Sequence, residues 1–251
     1  MKHGLKRLAP LLLALATTAQ AAEMKVLTAG AYKPVLMALL PAFEQRSGHH
    51  VTVDNDTAGA LTRRVAAGET FDLLVLTAPA LPALATAGRV LAGSVQTLAR
   101  VGIGVAVKAG APLPDIASVA AFQRTLLAAR AVATIDPASG GSSGIYLWQL
   151  FEKMGIATTL RPGAVLVPGG LVAQRLVSGE ADLAVHQISE ILAVPGVTLV
   201  GPIPAAVQND TVYAGAISAT TQQAGAAQAL LAWLAGPEAQ AVLQAKGMQA
   251  P

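Results

Sequence analysis

The chain has 251 residues, 53% hydrophobic and 12% charged, and it contains no cysteine. This excludes disulfides and thiolate metal sites, and it suits a well-packed α/β protein of one large domain or two lobes. The formal charge of +3 rests on Lys2, Lys6 and Arg7; without them acidic and basic side chains balance, so no basic face argues for nucleic acid.

Those three cations precede an apolar run, Leu8 to Ala16, and Ala19-Gln20-Ala21 has the small-x-small form of a cleavage site. The pattern predicts a secretory signal peptide over residues 1–21, and so a periplasmic protein. The apolar run is too short to span a bilayer comfortably, and no second run reaches that length.

Beyond it, Met24–Thr28 reads as a strand entering the turn Ala29-Gly30-Ala31. Val35, Leu36, Leu39, Leu40 and Phe43 then follow helical spacing, with Pro34 suited to the first turn and Pro41 expected to kink or divide the helix. Val51–Val53 is a strand, Asn55–Gly59 a polar small-residue loop, and Leu61, Val65 and Ala66 a helical stripe. Leu73–Leu76 is a third strand, and Val101–Val107 reads as one long strand. A second series follows: helix 118–129, strand 131–135, helix to Gly155, strand 165–167, helix 171–178, strands 183–185 and 197–200. Gly201–Pro204 reads as a linker, Thr211–Ser218 as a strand, and 224–235 and 237–245 as helices parted at Gly236-Pro237. Repeated βα units predict sheets with ligands at the carboxyl ends of their strands. The division predicts lobe 1 as 22–100 plus 204–251 and lobe 2 as 101–203, hinged about a cleft.

The stretch Asp136–Tyr146 (DPASGGSSGIY) lies between a strand and a helix. Small residues let a ligand approach the backbone, glycines allow positive φ, and serines at a helix start add hydroxyls to its free N–H groups. That combination predicts an anion cradle. The loops Ala29–Tyr32 and Asn55–Gly59 would face it, and Pro168–Gly170, across the cleft.

Several motifs in order carry a family likeness: Val26–Ala31, Ala58–Arg63, Ala67-Gly68-Glu69 with Phe71-Asp72-Leu73, Asp136-Pro137 through Tyr146, and Ser178–Asp182. Gly201–Pro204, Thr211-Val212-Tyr213 and Gly236–Ala239 extend it. Together they resemble the periplasmic solute-binding proteins of ABC importers, in particular the molybdate-binding branch. The resemblance implies a two-lobed α/β fold, each lobe a mostly parallel sheet flanked by helices. It also implies a monomer that performs no chemistry, carries no cofactor or metal, and hands a small anion to a permease. Neutral donors would hold the anion. The branch's two first-lobe serines fall on Ala31 and Ala58, its second-lobe backbone donors near Ser143 and Gly169, and its tyrosine on Gln187. Ala31 and Ala58 offer no hydroxyl, so the pocket is reshaped, and an organic di- or tricarboxylate is as fitting a ligand as an oxyanion. The residues expected at the ligand are Ala31, Thr57, Ala58 and Gly59 from one lobe, and Ser142, Ser143, Gly169, Gly170 and Gln187 from the other. Thr57, Ser142 and Ser143 would give hydroxyls, and Gln187 would read the ligand's shape.

Gly140-x-Ser142-x-Gly144 also fits the hydrolase elbow, with Ser142 as nucleophile and His186 as the reachable base, Glu190 lying near it in sequence. His49 and His50 read as loop residues, Asp72 as a turn anchor, and Asp54 and Asp56 as a pair on one strand face with a cation site as the alternative. Tyr32 and Tyr146 fit a cleft or a packing role equally; Trp148, Phe151 and Trp233 fall at core positions.

Overall fold

The computed structural model describes residues 21–251, so residues 1–20 of the expected signal segment lie outside the described residues. Among the described residues ten strands form two sheets: β1 (Glu23–Ala29), β2 (His50–Asp56), β3 (Leu73–Thr77), β4 (Gln96–Val101), β5 (Ile103–Lys108), β6 (Val132–Ile135), β7 (Ala164–Val167), β8 (Leu183–Gln187), β9 (Val197–Pro202) and β10 (Thr211–Ile217). One sheet has the order β2-β1-β3-β10-β4 and the other β7-β6-β8-β5-β9, each with helices packed on it. Both sheets are mixed. The βα part is parallel (β1 with β2 and β3; β6 with β7 and β8), while β5 and β10 run antiparallel to their neighbours. Those two strands follow the places where the chain passes from one sheet to the other, so they enter from the opposite end.

The long strand expected over 101–107 is two strands in different sheets, broken at Gly102. The break carries no strong turn signal, because Val101 and Ile103 are both fully buried and read as one apolar run. A Cβ on Gly102 would lie 3.1 Å from Asp210 Oδ1 and Gln208 Nε2, so glycine lets the second crossover pack against the first. Gln208 ties the crossovers together: its Oε1 accepts from Ile103 N–H and its Nε2 donates to Ile103 C=O, both at 2.8 Å.

Pro41 does not divide its helix, which runs from Lys33 to Ser47. The proline is exposed and so is Met37 four residues earlier, whose carbonyl loses its helical donor in water rather than in the core. The helix ends at Gly48 with φ 71°, where an L side chain would be strained. Asn55–Gly59 is likewise less of a loop than expected. β2 continues to Asp56, Thr57 caps, and the helix Ala58–Ala66 begins at once.

The core follows strand alternation. In the second sheet Ile103, Val105 and Val107 face Phe122, Leu147 and Phe151, while Ala106 faces the side holding Val172 and Leu176. Each fully buried Val, Leu, Ile or Phe contributes about 1.5–3 kcal/mol over an exposed one. Trp148 packs edge-on to Phe151, with its Nε1 donating to Thr134 Oγ1 at 3.1 Å.

The lobes share a structural device. Arg64 holds Glu69 beyond a positive-φ Gly68, and Asp72 accepts from Lys25 N–H at 2.7 Å. Arg175 holds Glu180 beyond a positive-φ Gly179, and Asp182 accepts from Arg130 and Ala131 N–H. In each case a carboxylate pins the start of a strand. Asp72 is therefore a turn anchor, as the sequence predicts. Asp54 and Asp56 do not make a cation site of their own: Arg64 pairs with both and with Glu69. Its hydrogen bond, then that of Lys25, pulls the Glu69 carboxyl down to about 2.

Candidate functional site

The carboxyl ends of β1 and β2 and the start of helix Ala58–Ala66 meet the end of β6, the start of helix Ser142–Lys153 and the end of β8. Between them is a small inner chamber of about 30 Å³. On this measure one water needs roughly 10–15 Å³, so the chamber admits a carboxylate head or a few waters. Seven of the expected residues line it: Ala31, Thr57, Ala58, Ser142, Ser143, Gly170 and Gln187. Gly59 and Gly169 do not.

The lobes touch directly beside this chamber. Thr57 Oγ1 donates to Ser139 C=O at 2.7 Å while accepting from Ala60 N–H. Gly59 N–H donates to Gly140 C=O at 2.9 Å. The Thr57 hydroxyl and the Gly59 amide, expected as ligand donors, therefore act as a latch between lobes in this arrangement. Both latch glycines are needed. A Cβ on Gly59 would lie 2.7 Å from Gly140 Cα, and Gly140 has φ 84°. Ser139 Oγ is turned back onto Asp136 C=O.

The first-turn residues Ser142 and Ser143 of helix Ser142–Lys153 line the chamber, and their N–H groups have no intrahelical partner. Gly144 makes that possible. A Cβ there would lie 2.3 Å from Ile135 C=O, so only glycine lets this turn sit against the end of β6.

The chamber wall carries a buried polar chain. Ser143 Oγ lies 2.9 Å from His186 Nδ1, and His186 Nε2 lies 2.9 Å from Glu190 Oε2, an ion-pair distance without hydrogen-bond alignment. All three side chains are buried. Glu190 is fixed from the other lobe by Gly30, whose missing Cβ would fall 2.6 Å from Glu190 Oε1. Alongside, Gln187 Nε2 donates to Tyr213 Oη at 2.7 Å and to Ser142 Oγ at 3.2 Å. Burial, then the Glu190 charge, raises the Tyr213 phenol well above its ordinary range, so it stays protonated. Ser189 Oγ donates to Ala31 C=O across the lobes at 2.8 Å.

This geometry corrects the hydrolase arrangement. His186 meets Ser143, while Ser142 is occupied by Gln187. Gln187 itself is buried and bonded on the amide nitrogen to the phenol of Tyr213. Tyr32 is buried against Tyr213, and Tyr146 donates to Val207 C=O in the second crossover at 2.8 Å; both pack. Sequence reasoning put Gly30, Asn55 and Asp56 only on loops facing the cleft, named Glu190 only as a neighbour of His186, and did not place Tyr213 at the site. His-x-x-x-Glu from 186 to 190 was a usable signal. Tyr213 had none, because it arrives on the strand returning from the other lobe.

Among the described residues no group of three or more His, Asp or Glu is placed to hold a metal ion. No described helix is long and apolar enough to cross a membrane.

A family model described as bacterial extracellular solute-binding protein matches residues 24–249. A protein named aconitate isomerase, from a Pseudomonas species, is 34% identical over 232 residues, covering 90% of this chain and 87% of that protein. Among solved structures, the periplasmic molybdate-binding protein of Azotobacter vinelandii superposes with a TM-score of 0.78 at 22% identity, covering 91% of this chain and 99% of that one. The sulfate-binding protein SubI of Mycobacterium tuberculosis H37Rv superposes at 0.72 and 20% identity, covering 91% and 87%. The structural matches share the two-lobed architecture, and the family model spans it from the first strand to the last helix. The chain therefore belongs to the bacterial extracellular solute-binding protein family.

Proposed function

We propose that the cleft binds a small organic polycarboxylate outside the cytoplasm and shifts a proton on it, as an isomerase of the aconitate type. The observation that carries this reading is the buried Ser143–His186–Glu190 chain opening on the ligand chamber. A fully ionised inorganic oxyanion gains nothing from a buried carboxylate at its side. A carbon acid does, because a carboxylate at its side can accept the proton. The name of the 34% identical relative supports the same substrate class.

The chemistry asked of the site is modest. In an aconitate-type acid, Glu190 removes a proton from the methylene next to the double bond. A proton returns at the far vinylic carbon, and the double bond moves between them, so no atoms are gained or lost. The developing charge spreads into a carboxylate, where the first-turn N–H groups of helix Ser142–Lys153 stabilise it. His186 lies at ion-pair distance from Glu190 and pairs with Ser143, so it lines the path open to the proton.

A second reading is capture of a small oxyanion or carboxylate for an ABC importer, without chemistry. It is favoured by the family match and by the free first-turn N–H groups of Ser142 and Ser143, residues that line the inner chamber. Thermal shift with cis- and trans-aconitate, tricarballylate, molybdate and sulfate, with proton NMR of each aconitate isomer incubated with the protein, tests both. Stabilisation by the carboxylates with interconversion supports the isomerase. Stabilisation by molybdate or sulfate alone refutes it.

A further inference from the structure

The inner chamber is not the whole cleft. Gly30, Asn55, Gly170 and Glu190 form its rim, and the same four residues border a second, larger chamber of about 430 Å³. Ligand sites typically measure about 300–1,000 Å³, so the outer chamber alone is ligand-sized while the inner one is not. Its lining also includes Lys33, Met37 and Gln174. Lys33 is the one cationic side chain among the described residues lining either chamber. Its polar partner is neutral: Nζ donates to Asn55 Oδ1 at 2.6 Å. An ammonium has three donors, so a single amide oxygen leaves it short of partners.

From this arrangement we infer that Lys33 is a specificity residue that reads a second, distal carboxylate of the ligand. The ligand spans both chambers. One carboxylate sits in the inner chamber on the helix N–H groups, the reacting carbons lie at the rim beside Glu190, and the remaining carboxylate reaches the outer chamber. Lys33 offers that carboxylate a charge-assisted hydrogen bond and offsets the repulsion from Glu190. Two further features fit. Lys33 begins the helix that follows β1, so its position is fixed by the same turn that presses Gly30 on Glu190. Asn55, next to the last residue of β2, borders both chambers and accepts from the ammonium. An inorganic tetrahedral anion, held entirely in the inner chamber, would never use Lys33. The inference rests on the polycarboxylate reading above and adds where the selectivity for three carboxylates resides.

The test is isothermal titration of wild type, Lys33→Gln and Lys33→Arg with tricarballylate and with methylsuccinate, which lacks one terminal carboxylate. Wild type is expected to prefer tricarballylate by about tenfold or more, the scale of a charge-assisted hydrogen bond. Lys33→Gln should reduce the preference to within about threefold by weakening tricarballylate alone, and Lys33→Arg should restore part of it. In turnover, Lys33→Gln should raise KM with little change in kcat, as loss of binding remote from the reacting atoms does. An unchanged preference in Lys33→Gln would overturn the role of Lys33 while leaving polycarboxylate binding intact. Failure of wild type to bind either acid would overturn the polycarboxylate reading itself, and the role of Lys33 with it.

Discussion

Replacing Gly59 by alanine should separate folding from closure, with opposite signs. Gly59 lies in the first turn of helix Ala58–Ala66, where exchange for alanine raises helix stability by up to about 1 kcal/mol. Across the cleft the same methyl would stand 2.7 Å from Gly140 Cα and 3.0 Å from its carbonyl oxygen. Both contacts are backbone, so the lobes must part. Parting them removes the Gly59 N–H to Gly140 C=O bond and strains or breaks the Thr57 to Ser139 bond. At about 1 kcal/mol net for each bond, the closed state loses about 2 kcal/mol, or about thirtyfold in affinity for a ligand that needs closure. Calorimetric titration with tricarballylate beside a thermal melt measures both quantities. The expected result is a ligand-free melting temperature equal to or above wild type with a Kd raised tenfold or more. Unchanged affinity would refute the latch, and a large loss of melting temperature would show that Gly59 serves the fold instead.

Other variants probe the buried chain and its surroundings. Ser143→Ala leaves His186 Nδ1 buried without a partner and should cost about 1–3 kcal/mol in denaturant unfolding; Ser142→Ala, which removes only a 3.2 Å contact, should cost less. Equal costs would contradict the pairing of Ser143 with His186. The Glu69 carboxyl is depressed to about 2 by Arg64 and Lys25. A depressed carboxyl stabilises the fold above its unfolded value near 4.3 and loses that contribution as pH falls towards 2. Wild type should therefore exceed Glu69→Gln in stability at pH 6 and converge with it in acid. A constant gap from pH 6 to pH 2.5 would exclude an electrostatic origin.

Much of the frame was legible because it is local. Apolar runs such as Leu73–Leu76, the helical stripe from Val35 to Phe43, and Gly48 after Ser47 each mark an element from their immediate neighbours. The cradle at 136–146 was legible for the same reason, since its glycines and serines are consecutive. What was hidden depends on contacts distant in sequence. Gly102 joins strands of two sheets inside an unbroken apolar run. Thr57 reads as a ligand hydroxyl until Ser139, 82 residues away, is placed beside it. Tyr213 enters the site through antiparallel pairing, and Gly30 is explained only by Glu190 pressing on it from the other lobe. His186 was readable as a base, yet its serine partner was set by the pitch of the first helical turn, which aims Ser143 rather than Ser142 at it.

The most direct test of the proton-shift account is solvent deuterium incorporation. Purified protein is incubated with trans-aconitate in D₂O, and the methylene and vinyl signals are followed by proton NMR, for wild type and Glu190→Gln. The account predicts that wild type forms the cis isomer with deuterium entering carbon. It predicts that Glu190→Gln binds tricarballylate at least as tightly as wild type and exchanges slower by about 10²–10⁴-fold, the usual contribution of a general base. Saturable binding by wild type with neither isomerisation nor exchange would contradict it and leave a binding protein without chemistry.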